Sequence, residues 1–223
     1  MQLNRRQFLG AVGAATAAGA ATLPLLKPAL AQGDAPIAAD RDYRVVSPAQ
    51  PTDAPGKIEV IEFFWYACPH CNAFEPTLNA WVAKLPSDVA FRRLPAQFQP
   101  IWVQHAKLFY TLEALGEEAR VHKKVFDTIH VERQLLDSDA QMIEWAGKNG
   151  IDKAKFSDAL KSFGVAGKLK RADQVVRNYG IDGVPALAVN GKYLTAPSMA
   201  RGEVRALAVV DYLINAERNK KKM

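Results

Sequence analysis

The sequence is poor in cysteine: Cys68 and Cys71, in one Cys-x-x-Cys motif, are the only two in 223 residues. That excludes a disulfide-dense scaffold, which needs several pairs stapling separate loops. Long apolar runs are lacking too. The Ala- and Gly-rich stretch after Arg6 is diluted by Thr and Pro, whereas a membrane span needs about 20 strongly apolar residues. Charge of one sign is scarce. Half of the formal net charge of +6 belongs to residues 1–31, where Arg5, Arg6 and Lys27 stand without an acid. The remainder carries too small an excess to argue for nucleic-acid binding. No internal repeat is present, and with 14 Gly and 13 Pro nothing resembles collagen. What is there is ordinary globular material: 49% hydrophobic and 23% charged residues exclude intrinsic disorder.

The N-terminus reads as an export signal. Arg5-Arg6 precede Gln7-Phe8-Leu9, an apolar middle follows, and Ala29-Leu30-Ala31 supplies the small residues of a cleavage site. The paired arginines are of the twin-arginine type. Cleavage is expected after Ala31, and no cysteine lies there to take a lipid. The mature chain is expected to be soluble, in a compartment where disulfides persist.

A short strand is expected at Tyr43-Arg44-Val45-Val46. From Lys57 to Tyr66 the chain is apolar on both faces, the pattern of a strand covered on both sides. A helix should follow through Phe74, Leu78 and Leu85, kinked at Pro76, then a strand over Val89–Leu94. This opening is a βαβ unit. From Pro100 to Gly167 the pattern is helical only: 101–115, 117–129, a third helix capped by Asp137 or Ser138, and 151–163, stopped by Gly164. A helix over 165–179 returns to strand at Gly183–Val189, and Asn190-Gly191 marks a hairpin into Lys192-Tyr193-Leu194. A last helix spans 201–216, with Lys220-Lys221-Lys222 as a solvated end. The fold class is α/β: a sheet domain in two parts, 38–100 and 168–219, interrupted by helices over 101–167.

The chemistry lies in Cys68-Pro69-His70-Cys71, where a buried strand passes into a helix. Positions three apart on a first helical turn share a face, close enough for a disulfide. The first cysteine stands where unpaired N–H groups and the helix dipole favour an anion, and Pro69 has no N–H to leave unsatisfied. A dipole of up to about 2 kcal/mol lowers a pKa by about one unit, and His70 can add a hydrogen bond or charge. A stabilised thiolate stabilises the reduced pair, so the disulfide becomes an oxidant and Cys68 a good leaving group. Zinc needs two further ligands, and only His105, His122 and His130 remain; haem attachment needs His where Asn72 stands.

Glu62, within an apolar strand six positions before Cys68, should have a raised pKa. It can accept and return the proton of Cys71; a salt bridge to Arg93 or an exposed edge position is compatible or alternative. Val184-Pro185 sits at a loop-to-strand junction, where the Val184 backbone can pair with an extended peptide. The other histidines and Trp65, Trp81, Trp102 and Trp145 are expected to be surface or packing residues. Glu117-Glu118 and Lys123-Lys124 read as solvated helix faces.

Glu62-Phe63-Phe64, Cys68-Pro69-His70-Cys71, Phe74-Glu75, Val184-Pro185-Ala186 and Val189-Asn190-Gly191-Lys192-Tyr193 together resemble the DsbA family of periplasmic thiol:disulfide oxidoreductases. The resemblance covers Tyr43 to Ala216. It implies a thioredoxin fold with an inserted all-helical domain, a periplasmic location, and introduction of disulfides into reduced exported polypeptides without metal or cofactor. It further implies Cys68 as the attacking cysteine, Cys71 as its resolving partner in a redox disulfide, and His70 stabilising the thiolate. Glu62 would be the buried acid, Pro185 a cis-proline facing the site, and a DsbB-type quinone-linked membrane oxidase the reoxidising partner of a monomer. Two features depart from the family pattern: the twin-arginine signal, and Leu94-Pro95-Ala96-Gln97 in place of a more polar stretch beneath the groove. The rival functions are an isomerase or reductase on the same fold, or a non-catalytic zinc- or peptide-binding module.

Overall fold

A computed structural model describes residues 35–221. The export signal at 1–31 and Lys222 lie outside them. β1 (Arg44–Val45) precedes β2 (Ile58–Phe64), α1 (Pro69–Val82) and β3 (Val89–Pro95). Five helices follow without an intervening strand: α2 (Pro100–Ala114), α3 (Glu118–His130), α4 (Asp139–Lys148), α5 (Lys153–Leu160) and α6 (Phe163–Asn178). β4 (Ala186–Val189), β5 (Tyr193–Thr195), α7 (Pro197–Ala200) and α8 (Glu203–Lys221) complete the described chain.

The strands form one sheet in the order β1-β5-β4-β2-β3. β2 is parallel to β3, as the βαβ reading requires, and antiparallel to β4. All seven β2 residues are buried. Strand alternation divides them. Ile58 and Val60 face a layer containing Phe74 and Leu78 of α1 and Val209, Val210 and Leu213 of α8. Ile61 and Phe63 face the other layer, with Leu108, Phe126, Ala172 and Val176 from α2, α3 and α6. Glu62 shares the parity of Ile58 and Val60, so it lies on the face that α1 covers.

Several boundaries differ from the sequence reading. β1 is shorter than Tyr43–Val46, α1 stops at Val82 and runs through Pro76 unbroken, and β4 begins only after Pro185. Gly164 does not stop a helix; it is the second residue of α6. The break falls earlier because the Ser162 hydroxyl accepts the Val165 N–H at 3.2 Å and starts a new helix. The last helix continues to Lys221, and Lys220 is tied down, its Nζ 2.7 Å from Tyr193 Oη and 3.3 Å from Glu217 Oε1. Glu118 is not a solvated residue either: its side chain is 18% exposed and meets His122.

The expected Asn190-Gly191 hairpin is present, both residues at positive φ. Gly191 does more than turn the chain. Its carbonyl accepts the Gln50 N–H at 2.7 Å, and a Cβ on it would collide with the Gln50 carbonyl. At φ +71° a side chain is also strained. Gly191→Ala should therefore cost about 1–3 kcal/mol, read as a lower denaturant midpoint at unchanged slope. An unchanged midpoint would mean that the segment carrying Gln50 moves aside freely.

Candidate active site

β2 ends at Phe64, and the chain turns through Trp65-Tyr66-Ala67 so that Cys68 caps α1. Cys68 is extended (φ −78°, ψ 117°), and its sulfur accepts the Cys71 N–H at 3.4 Å. Pro69 occupies the first helical position, where its missing N–H costs nothing. Both cysteines are free thiols; Cys68 keeps 7% of its surface while Cys71 has none. Opposite Cys68, the Val184–Pro185 bond is cis and the thiol donates to the Val184 carbonyl at 3.5 Å. Ser47–Pro48, not foreseen, is also cis.

The two sulfurs are driven apart electrostatically. A hydrogen bond from the Cys71 side chain, aided by the backbone N–H groups of Cys71 and His70, outweighs burial and lowers the Cys68 pKa from 9.0 to about 6. The His70 charge contributes in the same direction, but less. The Cys71 thiol itself is the stabiliser that sequence reasoning missed. Burial, that same hydrogen bond and the charge of Cys68 push the Cys71 pKa far upward, with Glu62 adding to the effect.

Glu62 has no exposed surface, and the edge-strand alternative fails because β2 lies between β4 and β3. Arg93, directly across on β3, places Nε 3.1 Å from Glu62 Oε2. The pair is close but not aligned for a hydrogen bond, and neither Glu62 oxygen has another partner among the described residues. Burial, reinforced by the charge of Glu75, raises the Glu62 pKa against the opposing pull of Arg93. Arg93 also reaches Glu75 Oε2 at 3.3 Å, and His122 Nε2 lies 3.4 Å from Glu75 Oε1. A second buried acid of β2, Glu59, points to the opposite face and pairs with Arg92 at 3.1 Å.

A groove of about 360 Å³ opens beside the cysteine pair, lined by His70, Val184, Pro185, Leu194 and Met199 among others. Leu94-Pro95-Ala96-Gln97 does not line it. Leu94 and Ala96 are in the core, and Gln97 Nε2 donates to the Leu169 carbonyl at 2.9 Å. Trp65 and Trp102 are half-buried and stack face to face at 4.1 Å, while Trp145 is buried. His105 and His130 are packing residues bonded to the carbonyls of Leu135 and Tyr66. Among the described residues no group of three or more His, Cys, Asp or Glu is placed to hold a metal ion, and no helix is long and apolar enough to cross a membrane.

Residues 59–213 match the model of the DSBA-like thioredoxin domain. The thiol:disulfide interchange protein DsbA of Azotobacter vinelandii is 43% identical over 215 residues, covering 96% of this chain and 99% of its own. That of Pseudomonas aeruginosa is 44% identical over 180 residues, 81% of this chain and 85% of its own. The crystal structure of Pseudomonas aeruginosa DsbA superposes with a TM-score of 0.82, covering 84% of this chain and 97% of the other at 43% identity.

In the reduced protein, the pH profile of alkylation should have its midpoint near about 6, with label on Cys68 and none on Cys71. Because the folded pKa is depressed, the stabilisation it gives the dithiol form is full above the unfolded pKa near 9.0 and is lost as pH falls through about 6. The dithiol form should gain stability relative to the disulfide form as pH rises across that window. A midpoint like that of a free thiol would remove the electrostatic basis of the site.

Proposed function

We infer how the site works from one premise: the chain belongs to the DsbA-like thioredoxin family and is a protein thiol:disulfide oxidoreductase. The lowered pKa of Cys68 against the raised pKa of Cys71 carries the reading. In the proposed cycle a substrate thiolate attacks Cys68 of the Cys68–Cys71 disulfide. The substrate–Cys68 bond forms, the Cys68–Cys71 bond breaks, and Cys71 leaves as a thiol with the proton held by Glu62. A second substrate thiolate then attacks the substrate sulfur, a substrate disulfide forms, and Cys68 departs as a stabilised thiolate. The low pKa of Cys68 speeds both its departure and the overall direction toward substrate oxidation.

Pro69 starts the helix that holds the thiolate, and His70 adds positive charge beside it. Val184, Pro185 and His70 line the groove next to the sulfur, where an extended, reduced polypeptide would lie. The helices over 101–167 would act as a cover inserted between the two parts of the thioredoxin-like domain, 38–100 and 168–219. A periplasmic location, export by the N-terminal signal and a monomeric state complete the reading. Reoxidation falls to a DsbB-type membrane oxidase, which passes the electrons to quinone.

Cys68→Ala should abolish oxidation of a reduced model protein, whereas Cys71→Ala, given a substrate that already holds a disulfide, should accumulate a mixed disulfide through Cys68, releasing one substrate thiolate, because no internal thiol remains to displace it. Activity retained in Cys68→Ala would sink the mechanism. A redox potential close to that of reducing thioredoxins, about −270 mV, would point instead to a reductase.

A further inference from the structure

His122 of α3 is buried, and the exchange does not touch it. Both its ring nitrogens nevertheless face carboxylates, from two different helices. Nε2 is 3.4 Å from Glu75 Oε1 on α1, and Nδ1 is 2.9 Å from Glu118 Oε1 on its own helix, both as charge contacts not aligned for a hydrogen bond. Tyr66, between β2 and α1, brings its hydroxyl to 3.0 Å from Nδ1. Phe64, Phe109 and Phe126 close around the ring with centroids at 5.4, 6.3 and 5.3 Å. From β3, Arg93 links Glu75 onward to Glu62 on β2.

This cluster holds three carboxyl groups and two bases. Arg93 offsets one carboxylate at any working pH, and an imidazolium at position 122 offsets another. The remaining carboxyl is Glu62, which has no exposed surface and no aligned hydrogen bond, so ionisation costs most there. With a neutral ring at 122, Arg93 alone would face Glu62, Glu75 and Glu118, and Glu62 would be held more firmly in its protonated form.

We propose that His122 is a positioning residue for the exchange: clamped between Glu75 and Glu118, it supplies the second positive charge that lets Glu62 both release its proton and take one from Cys71. The proposal rests on the reading of Glu62 as the proton carrier for Cys71. Burial disfavours the charged ring, but the contacts with Glu118 and Glu75 outweigh it and raise the His122 pKa. The charge of His122 in turn pulls the Glu62 pKa down, against the larger effect of burial.

The step to measure is intramolecular. Oxidised glutathione reacts with the Cys68 thiolate to give a Cys68–glutathione disulfide and one glutathione thiolate. The Cys71 proton then passes to the Glu62 carboxylate, the Cys71 sulfur attacks Cys68, and the second glutathione leaves as a thiolate. In His122→Gln the pH–rate profile of this second step should move up by about one pH unit, a roughly tenfold slower rate on its acid limb. The Cys68 alkylation midpoint should stay where it is in the parent protein, and His122→Lys should restore the parent profile. An unmoved profile, or an alkylation midpoint that shifts equally, would overturn the proposal, because lost packing disturbs both. Glu62→Gln separates the two ideas. A profile altered in Glu62→Gln but not in His122→Gln defeats only the role of His122, whereas a parent-like profile in Glu62→Gln defeats the proton-carrier reading and this proposal with it. Ring nitrogen NMR of the unmutated protein needs no variant to fold: an imidazolium at neutral pH is expected, and a neutral ring there would overturn the proposal.

Discussion

The bond from the Cys71 N–H to the Cys68 sulfur joins the folding of α1 to its chemistry. A helix start needs an acceptor for its first unpaired donors, and here that acceptor is the reacting atom itself. An anionic sulfur is a better cap than a sulfur in a disulfide, because charge-assisted hydrogen bonds are the stronger ones. The helix is thus better capped when the cysteines are reduced, and the difference appears as oxidising power. Burial of Cys71 acts in the same sense, since it confines the negative charge to one sulfur.

Beneath the cysteines the sheet supplies a second constraint. β2 is covered on both faces, so any acid in it must be paired or neutral. Glu59 takes the first course, with Arg92 at its side. Glu62 meets an arginine that already serves Glu75, and burial keeps its pKa high. Two acids three positions apart on one strand thus end in different states because alternation sends them to different faces.

Much of this was legible in the residues, where the signal is local. The Cys-Pro-His-Cys motif at a strand-to-helix junction, the βαβ opening, the strand-free middle and the Asn-Gly hairpin are all carried by short-range patterns. Glu62 was legible because an acid inside Val60-Ile61-Glu62-Phe63-Phe64 breaks a pattern that otherwise buries everything. His122 was not, since its partner Glu75 lies on another helix far away in the chain and its ring looks like ordinary helix packing. Glu118 was misjudged for a related reason: a polar helix position beside Glu117 reads as solvated until another element is laid over it. The part played by the Cys71 thiol depends on side-chain direction, which spacing alone leaves undetermined. Gly164 shows the limit of residue-by-residue punctuation, because a serine cap two positions earlier had already set the helix boundary.

Arg92 and Arg93 are adjacent on β3 and point to opposite faces, each toward its own buried glutamate on β2. A slip of one residue between these parallel strands would exchange the faces: each glutamate would still meet a guanidinium, but Leu94 would leave its core layer and Val89 and Phe91 theirs. Parallel strands joined through a helix come together late and across a long stretch of chain. The two arginines therefore keep a cation on each face of the strand, while the apolar residues Val89, Phe91 and Leu94 set its alignment.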